Sequence, residues 1–494
     1  MELFSQLSTA FAAAVRTVYG WLWGDLVTLP LPGGASVGLS LLVLLLIPTG
    51  LYFTVRTRGL PLRLLPRMLR LTAERAQPPA ADTAGGGPGR PSASTAISGV
   101  QALIVSTATR VGMGNLVGVV AALSLGGAGA VFWMWATAFI GASTAFVEAT
   151  LAQLHKQPDP LYGGFRGGPA YYLHDLAERV RGKKLRRGVL AVLFAASALV
   201  CWCGISQVIG NSVSSALQNA FHIPPLWSTL ALVAAAAVIV LRKNATVRVL
   251  DVVVPVMAGC YFVVTVVLIL RNAALLPGVF ARIFAEAFGL RQAAAGGFGA
   301  VLMNGVKRGL FSNEAGSGSA PCSAAAARTD HPAKVGLMQA LGVLIDTVVI
   351  CTCTAMLMLL APRQAVAGLT GMDLLQQAMR CHLGQFGVVF IAVTLWLFSF
   401  STFIGVLYYA RSNVAYLFGD RWAAQTAYKV LALAMLFVGG LGAYETVWDL
   451  GDIGIALMTV FNLAAVLPMG GEALDSLRDY ERGGRSAAGP ARRR

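Results

Sequence analysis

The chain has 494 residues, 56% of them hydrophobic and 12% charged, and a mean hydropathy of +0.68; this excludes an average soluble globular protein and implies a polytopic membrane protein. The net charge of +16 would suit nucleic acid if the cations shared one face, but most of the 38 Lys and Arg fall in alternate loops, where they set orientation and meet lipid headgroups. The sequence has no G-x-S-x-G, H-E-x-x-H or P-loop lysine motif and no metal-spaced His/Cys cluster, which argues against an enzyme and against ATP-driven transport by this chain.

Residues 1–35 carry Glu2, Arg16 and Asp25 among apolar residues, without the basic start and small-residue cleavage site of a signal peptide, and predict a retained interfacial leader. An extra transmembrane helix at 36–55 and a basic segment make up 36–75, and 76–96 is a Pro/Gly linker. Ten further apolar runs follow at about 97–125, 130–154, 188–218, 226–241, 249–270, 296–328, 335–361, 385–410, 424–441 and 450–468. They predict an all-α fold of eleven transmembrane helices. Five-helix repeats cover 97–271 and 292–468, and a basic tail covers 469–494. Five is odd, so the second repeat enters the membrane inverted. The positive-inside rule places the N-terminus outside and the C-terminus in the cytoplasm, in a plasma (bacterial inner) membrane. The seven cysteines lie mostly inside predicted spans, and none is assigned to a disulfide.

The first helix of each repeat is interrupted by glycine. Gly112, Gly114 and Asn115, with Gly118 one turn on, break the first; Ser312 to Pro321, including Asn313 and Glu314, breaks the second and is too polar for buried helix. Unwound backbone at membrane depth is tolerated where it lines a cavity, and helix ends at a break favour an anion on one side and a cation on the other. A lone Gly-x-Gly would serve close helix packing equally well; two matched breaks point to a secondary transporter with its site between them. Phe311 is placed to close over a small ligand. Gly204, Gln207 and Asn211 share one helix face, either to hold a ligand or to hydrogen-bond a neighbouring helix. Ser401 and Thr402 offer adjacent hydroxyls to a hard cation or to a neighbouring helix. The intramembrane charges read as Arg110, Lys307 and Arg308 against Glu148, Glu314 and Asp346, three of each sign, implying mutual pairing or a wet vestibule. Arg110, Glu314 and Asp346 are gate or coupling candidates. His155 and His174 fall in a basic internal loop and suggest no special role.

The segments Val111–Val119, Gly126–Trp135, Ala145–Gln153, Gly167–Tyr172, Arg308–Pro321 and Asp346-Thr347 resemble the alanine or glycine:cation symporter family, from about Ser94 to Pro468. The resemblance implies sodium-coupled uptake of small neutral amino acids on a fold like that of the leucine transporter. It also implies a substrate pocket lined by Gly112, Met113, Gly114, Asn115, Gln207 and Phe311, with Gly204, Asn313 and Val406 beside it. Sodium, the coupling ion, would be held by Ser401, Thr402 and carbonyls near Ala108 and Val111. Two positions depart from the family pattern. Met113 stands where a threonine is usual, and Val406 where a tryptophan is usual, so the specificity is expected to move toward a larger neutral amino acid. A proton-coupled amino acid transporter remains the alternative, and a non-transporting amino acid sensor a further one. Membrane lipids and the substrate are the only partners implied, without nucleic acid; a monomer suffices.

Overall fold

The computed structural model describes residues 13, 15–30, 36–73, 97–241, 246–288, 297–442 and 444–483. The linker 76–96, most of 1–14, the segments 31–35 and 292–296 and the tail 484–494 lie outside the described residues.

The leader forms a short helix to Trp23 and then an antiparallel hairpin, β1 (Val27–Pro30) and β2 (Ser36–Leu39). The first expected span therefore opens as a strand. Helix α1 (Leu41–Arg56) begins only after Ser40, whose hydroxyl accepts the Val43 N–H at 3.3 Å as an N-cap. After two short helical segments, Leu60–Arg63 and Leu65–Ala73, come α2 (Gly99–Arg110), α3 (Val119–Gly126), α4 (Gly129–Leu154), α5 (Pro169–Arg181), α6 (Val189–Phe221), α7 (Pro225–Val240), α8 (Thr246–Arg271), α9 (Leu276–Ala287), α10 (Gly297–Asn313) and α11 (Ala320–Ala326). Beyond them lie α12 (Pro332–Leu344), α13 (Thr352–Leu359), α14 (Gly371–Leu383), α15 (Gln385–Phe418), α16 (Trp422–Leu441) and α17 (Tyr444–Glu481). Long charge-poor runs become helices because a helix satisfies every interior backbone group internally, which hydrocarbon demands.

Among the described residues, six helices are long and apolar enough to cross a membrane: α4, α6, α12 continued into α13, α15, α16 and Val447–Glu481 of α17. Val256–Arg271 and Ala273–Ala287 make a further pair bent by 70°. The other expected spans are shorter or broken. The last extends well past the expected 450–468, because Pro468 sits inside a helix that continues to Glu481.

Two long helices organise the core. α4 is lined by small residues such as Ala138, Gly141, Ala142 and Ala145 and packs against α10 and α12; α6 packs against α15, α16 and α17. Small side chains let backbones approach closely, which drives helix association where lipid gives no hydrophobic force.

At the end of α4, His155 bonds through Nδ1 to Asp175 Oδ2 at 2.7 Å and through Nε2 to Glu472 Oε2 at 2.9 Å, joining α4, α5 and α17. Burial alone would lower the pKa of this imidazole, but the two carboxylates outweigh it and hold the pKa above the usual 6.5. A raised folded pKa adds stability that is complete below the unfolded value and lost as pH rises through the folded one. Thermal melts of the purified protein should therefore fall in midpoint across that rise, and His155→Gln should flatten the trend; an equally steep trend in the variant would remove His155 from the account.

Candidate functional site

The first break is a turn at Val111 and Gly112 followed by a π-helical turn, Gly114–Gly118, before α3 begins. The Gly112 N–H donates to Arg110 O at 2.8 Å and to Asn115 Oδ1 at 2.9 Å. The Met113 N–H donates to Thr402 Oγ1 at 3.3 Å, which joins the break to α15. Ser401 and Thr402 each donate to Phe398 O at 2.9 Å. Having given its proton to a carbonyl, the Thr402 oxygen turns its lone pairs toward the break.

The second break runs from the end of α10 to α11 through three left-handed residues, Glu314 (φ 56°), Gly316 (φ 89°) and Gly318 (φ 82°). Its freed backbone is met by side chains from distant helices. Gly316 N–H donates to Glu148 Oε1 at 3.2 Å, while Asn462 Nδ2 donates to Gly316 O at 2.9 Å and to Glu148 Oε2 at 2.7 Å. Tyr172 donates its hydroxyl hydrogen to Asn462 Oδ1. Neither Glu148 nor Asn462 is exposed, so this amide and carboxylate replace the water that unwound backbone would otherwise need.

The two breaks meet at Asp346, which is 0% exposed. Its Oδ1 accepts from Asn115 Nδ2 of the first break at 2.8 Å; its Oδ2 accepts from Ser312 Oγ, at the edge of the second, at 2.7 Å and from Thr347 Oγ1 at 2.9 Å. Asn313 Nδ2 donates to Thr347 Oγ1 at 3.2 Å. Asp346 lies in a second π-helical turn, Ile345–Cys351, between α12 and α13. The wider turn brings Asp346 and Cys351, five residues apart, to one side, where Asn115 and Ser312 reach both. Among the described residues no ion pair reaches Asp346.

The expected pairing of three intramembrane cations with three carboxylates is not what forms. Lys307 Nζ lies 2.5 Å from Asp452 Oδ2, and Arg308 binds the same carboxylate through both terminal nitrogens at 3.1 Å. Asp452 is only 1% exposed; it falls inside the expected span 450–468 and is a fourth carboxylate beside the three counted against the cations. Arg110, 0% exposed, instead donates through Nη1 to Gln339 O at 3.2 Å and Oε1 at 3.1 Å. Its Nε and Nη2 make no hydrogen bond among the described residues. Glu314 receives the Tyr409 hydroxyl at 3.5 Å.

Gly112, Met113, Gly114, Asn115, Val111 and the Ala108 backbone thus fall at or beside the first break; Asn313 and Glu314 fall at the second. Ser401 and Thr402 lie on α15 against the first break, and Val406 is buried one turn further along α15. Phe311 packs its ring 5.0 Å from Trp448 and next to Gly118. The α6 face points elsewhere. Gln207 donates to Met435 Sδ at 3.2 Å, Asn211 to Gly442 O at 2.9 Å, and Gly204 packs on Gly451. In this arrangement the two amides bond to α16 and its end, while Gly204 meets α17. Tyr172 closes the Gly167–Tyr172 segment that carries the family resemblance, while Asn462 and Asp452 had no motif; an amide and a carboxylate inside the apolar run 450–468 were the available signals.

All residues from Arg110 to Val120 and from Gly305 to Ala327 are buried. One end is closed by a parallel pairing of Ile97–Ser98 with Ala327–Arg328, where Lys156 Nζ also donates to Ala327 O at 2.8 Å. The opposite end is closed by the Lys307, Arg308 and Asp452 cluster.

Residues 34–493 match the sodium:alanine symporter family. The chain is 40% identical over 444 residues to a probable sodium/glutamine symporter of Bacillus subtilis, covering 90% of this chain and 88% of that protein. It is 36% identical over 439 residues to an amino-acid carrier protein of the same organism, covering 88% of each. It is 32% identical over 475 residues to a sodium/alanine symporter of Methanococcus maripaludis, covering 95% and 97%. Its backbone is similar to that of a manganese transporter of Eremococcus coleocola, with a TM-score of 0.48 at 16% identity over 77% of this chain and 78% of that one. With its many apolar helices, this protein is a multi-pass membrane transporter and not an enzyme, and it belongs to the sodium:alanine symporter family, whose members carry amino acids together with a cation.

Proposed function

We propose that the chain is a sodium-coupled importer of a neutral amino acid, working by alternating access across a bacterial inner membrane, N-terminus outside and C-terminus inside. In this reading an extra helix with its basic segment (36–75) precedes two inverted five-helix repeats, 97–271 and 292–468, making eleven spans. The observation that carries it is Asp346, a buried carboxylate that takes a hydrogen bond from each of the two breaks. No cation among the described residues comes within ion-pair distance of it, the Arg110 guanidinium acting only from farther off; a charge left unpaired at bilayer depth costs at least ~2.5–3.5 kcal/mol, so a cation entering this region is favoured, and ordering it orders both breaks together. Ser401, Thr402 and the carbonyls of Ala108 and Val111 supply oxygens for sodium. The first break, Phe311 and Asn313 surround the amino acid. Membrane potential adds ~2.3 kcal/mol per charge per 100 mV to inward movement, and the repeats then rock to expose the site inside.

Met113 and Val406 support a substrate larger than alanine or glycine, and the relative named for glutamine agrees with that direction. Met113→Thr with Val406→Trp should shift preference toward alanine by about tenfold, a difference near 1.4 kcal/mol, in competition uptake; an unchanged ranking would sink this specificity argument. Proton coupling is the second reading, favoured by the buried carboxylates Glu148 and Glu314 and by a relative from Bacillus sp. named a sodium/proton-dependent alanine carrier protein. Proteoliposomes given an amino-acid panel and either a sodium or a proton gradient decide between them. Concentrative uptake with sodium alone supports the first reading, and uptake with protons alone replaces it.

A further inference from the structure

We propose that the leader helix, residues 15–23, is an outer latch, in which Tyr19 and Trp23 hold the Lys307, Asp452 and Arg308 cluster shut over the site and let go when the site opens outward. The inference rests on the transport reading and assigns a role to a segment outside the ten-helix core.

The cluster joins two helices that an opening must part. Lys307 and Arg308 lie one turn before the second break on α10; Asp452 lies on α17. All three are buried, at 5%, 3% and 1% exposure. Arg308 also sits 4.5 Å over the Trp448 ring, which packs on Phe311 at 5.0 Å, and Phe311 faces Gly114 and Gly118 of the first break. A continuous column therefore runs from the cluster to the site. α10 and α17 cannot separate on this side while one carboxylate holds both cations.

The leader binds both halves of that contact at once. The Trp23 indole N–H donates to Asp452 O at 3.1 Å on α17. On α10, Lys307 donates to the Tyr19 hydroxyl and lies 4.5 Å over the Tyr19 ring and 5.4 Å from the Trp23 ring. Cation–π contacts strengthen when desolvated, so closure of the leader and burial of Lys307 reinforce each other. Strand β2 packs on α10, carrying the leader back to Ser40 and α1. Trp21, by contrast, is 70% exposed and Leu26 59% exposed; such residues suit a headgroup interface, on which a leader released from the cluster can rest. A buried ion cluster is a poor means of adding stability, because desolvation offsets much of the attraction. It is a good means of making two discrete states, since it is either fully paired or open to water.

Tyr19→Phe and Trp23→Phe keep an aromatic ring at each position, smaller at 23, and delete the hydrogen bonds. In proteoliposomes that show sodium-driven uptake with the wild type, loosening the latch should enlarge the fraction of transporters open to the outside. Apparent affinity scales with that fraction, so the half-saturating external sodium concentration should fall about three- to tenfold in the double variant, with slower maximal uptake. A correctly folded double variant with unchanged half-saturation overturns the proposal. Should the double variant fold poorly, a second arm uses Tyr19→Cys with Lys307→Cys in a background lacking the exposed cysteines Cys260 and Cys381, bridged by a short bismaleimide. Bridging should stop uptake that the unbridged pair performs, and uptake continuing through the bridge overturns the latch. Absence of uptake by the wild type under either a sodium or a proton gradient would instead defeat the transport reading itself.

Discussion

Asp346→Asn is expected to reduce sodium-driven uptake by about a hundredfold while leaving the protein folded; a charge worth ~2.5–3.5 kcal/mol at bilayer depth corresponds to that factor. The carboxamide keeps the shape, and its oxygen still accepts from Asn115 or Ser312. The new amide hydrogens face Ser312 and Thr347, whose hydroxyls turn to accept them. Folding therefore survives, and what disappears is the negative charge that favours a cation between the breaks. The measurement is uptake against sodium concentration in proteoliposomes, alongside size-exclusion chromatography to verify a monodisperse protein. Wild-type uptake with wild-type sodium dependence in Asp346→Asn would remove this carboxylate from coupling. Uptake that lost its dependence on a proton gradient, with sodium without effect throughout, would assign the same carboxylate to proton coupling.

The second large effect is structural. Gly318→Ala is expected to cost several kcal/mol out of the ~5–15 kcal/mol that hold a typical domain together, and hence to abolish or sharply lower the yield of folded transporter. Two causes add. At φ 82° a left-handed backbone costs an L-residue roughly 1–2 kcal/mol. The added Cβ would lie 2.5 Å from Pro169 Cγ and 3.0 Å from Asn462 Cγ and Phe194 Cε2, and overpacking of this kind costs about 1–3 kcal/mol. Asn462 also braces Glu148 and Gly316, so displacing it loosens the whole second break. Gly316→Ala, at φ 89°, meets first the end of the Leu46 side chain at 3.1 Å, which can yield; it should be the milder of the two. Comparable melting temperatures for Gly318→Ala and the wild type would mean that the break does not adopt this path.

Both breaks were legible in the sequence, because glycine clusters and short polar runs inside apolar helices have a local cause: they remove backbone hydrogen bonds that hydrocarbon cannot replace. The helices themselves followed from charge-free length. Helical spacing also put Gly204, Gln207 and Asn211 on one face, but it gave no information on which neighbour that face meets, and α16 and α17 received it. Charge counting failed for a related reason. Counts of cations and carboxylates say nothing of distance, and Asp452, a further carboxylate at the start of the last span and more than 140 residues from Lys307 and Arg308, took both.

What the amino-acid sequence by itself determined is a chain of apolar helices, its family and two interruptions where a polar site can exist at depth. What only the tertiary structure decided is who satisfies those interruptions: Glu148 and Asn462 at Gly316, Asp346 between Asn115 and Ser312, Thr402 at Met113, and Tyr19 and Trp23 over the cluster at Asp452. Helix formation and helix breaking are set by residues within a few positions of each other. The partners of a freed backbone group or a buried charge come from segments 34 residues away, as Ser312 is from Asp346, or more often well over a hundred, and only packing chooses among the candidates that composition allows.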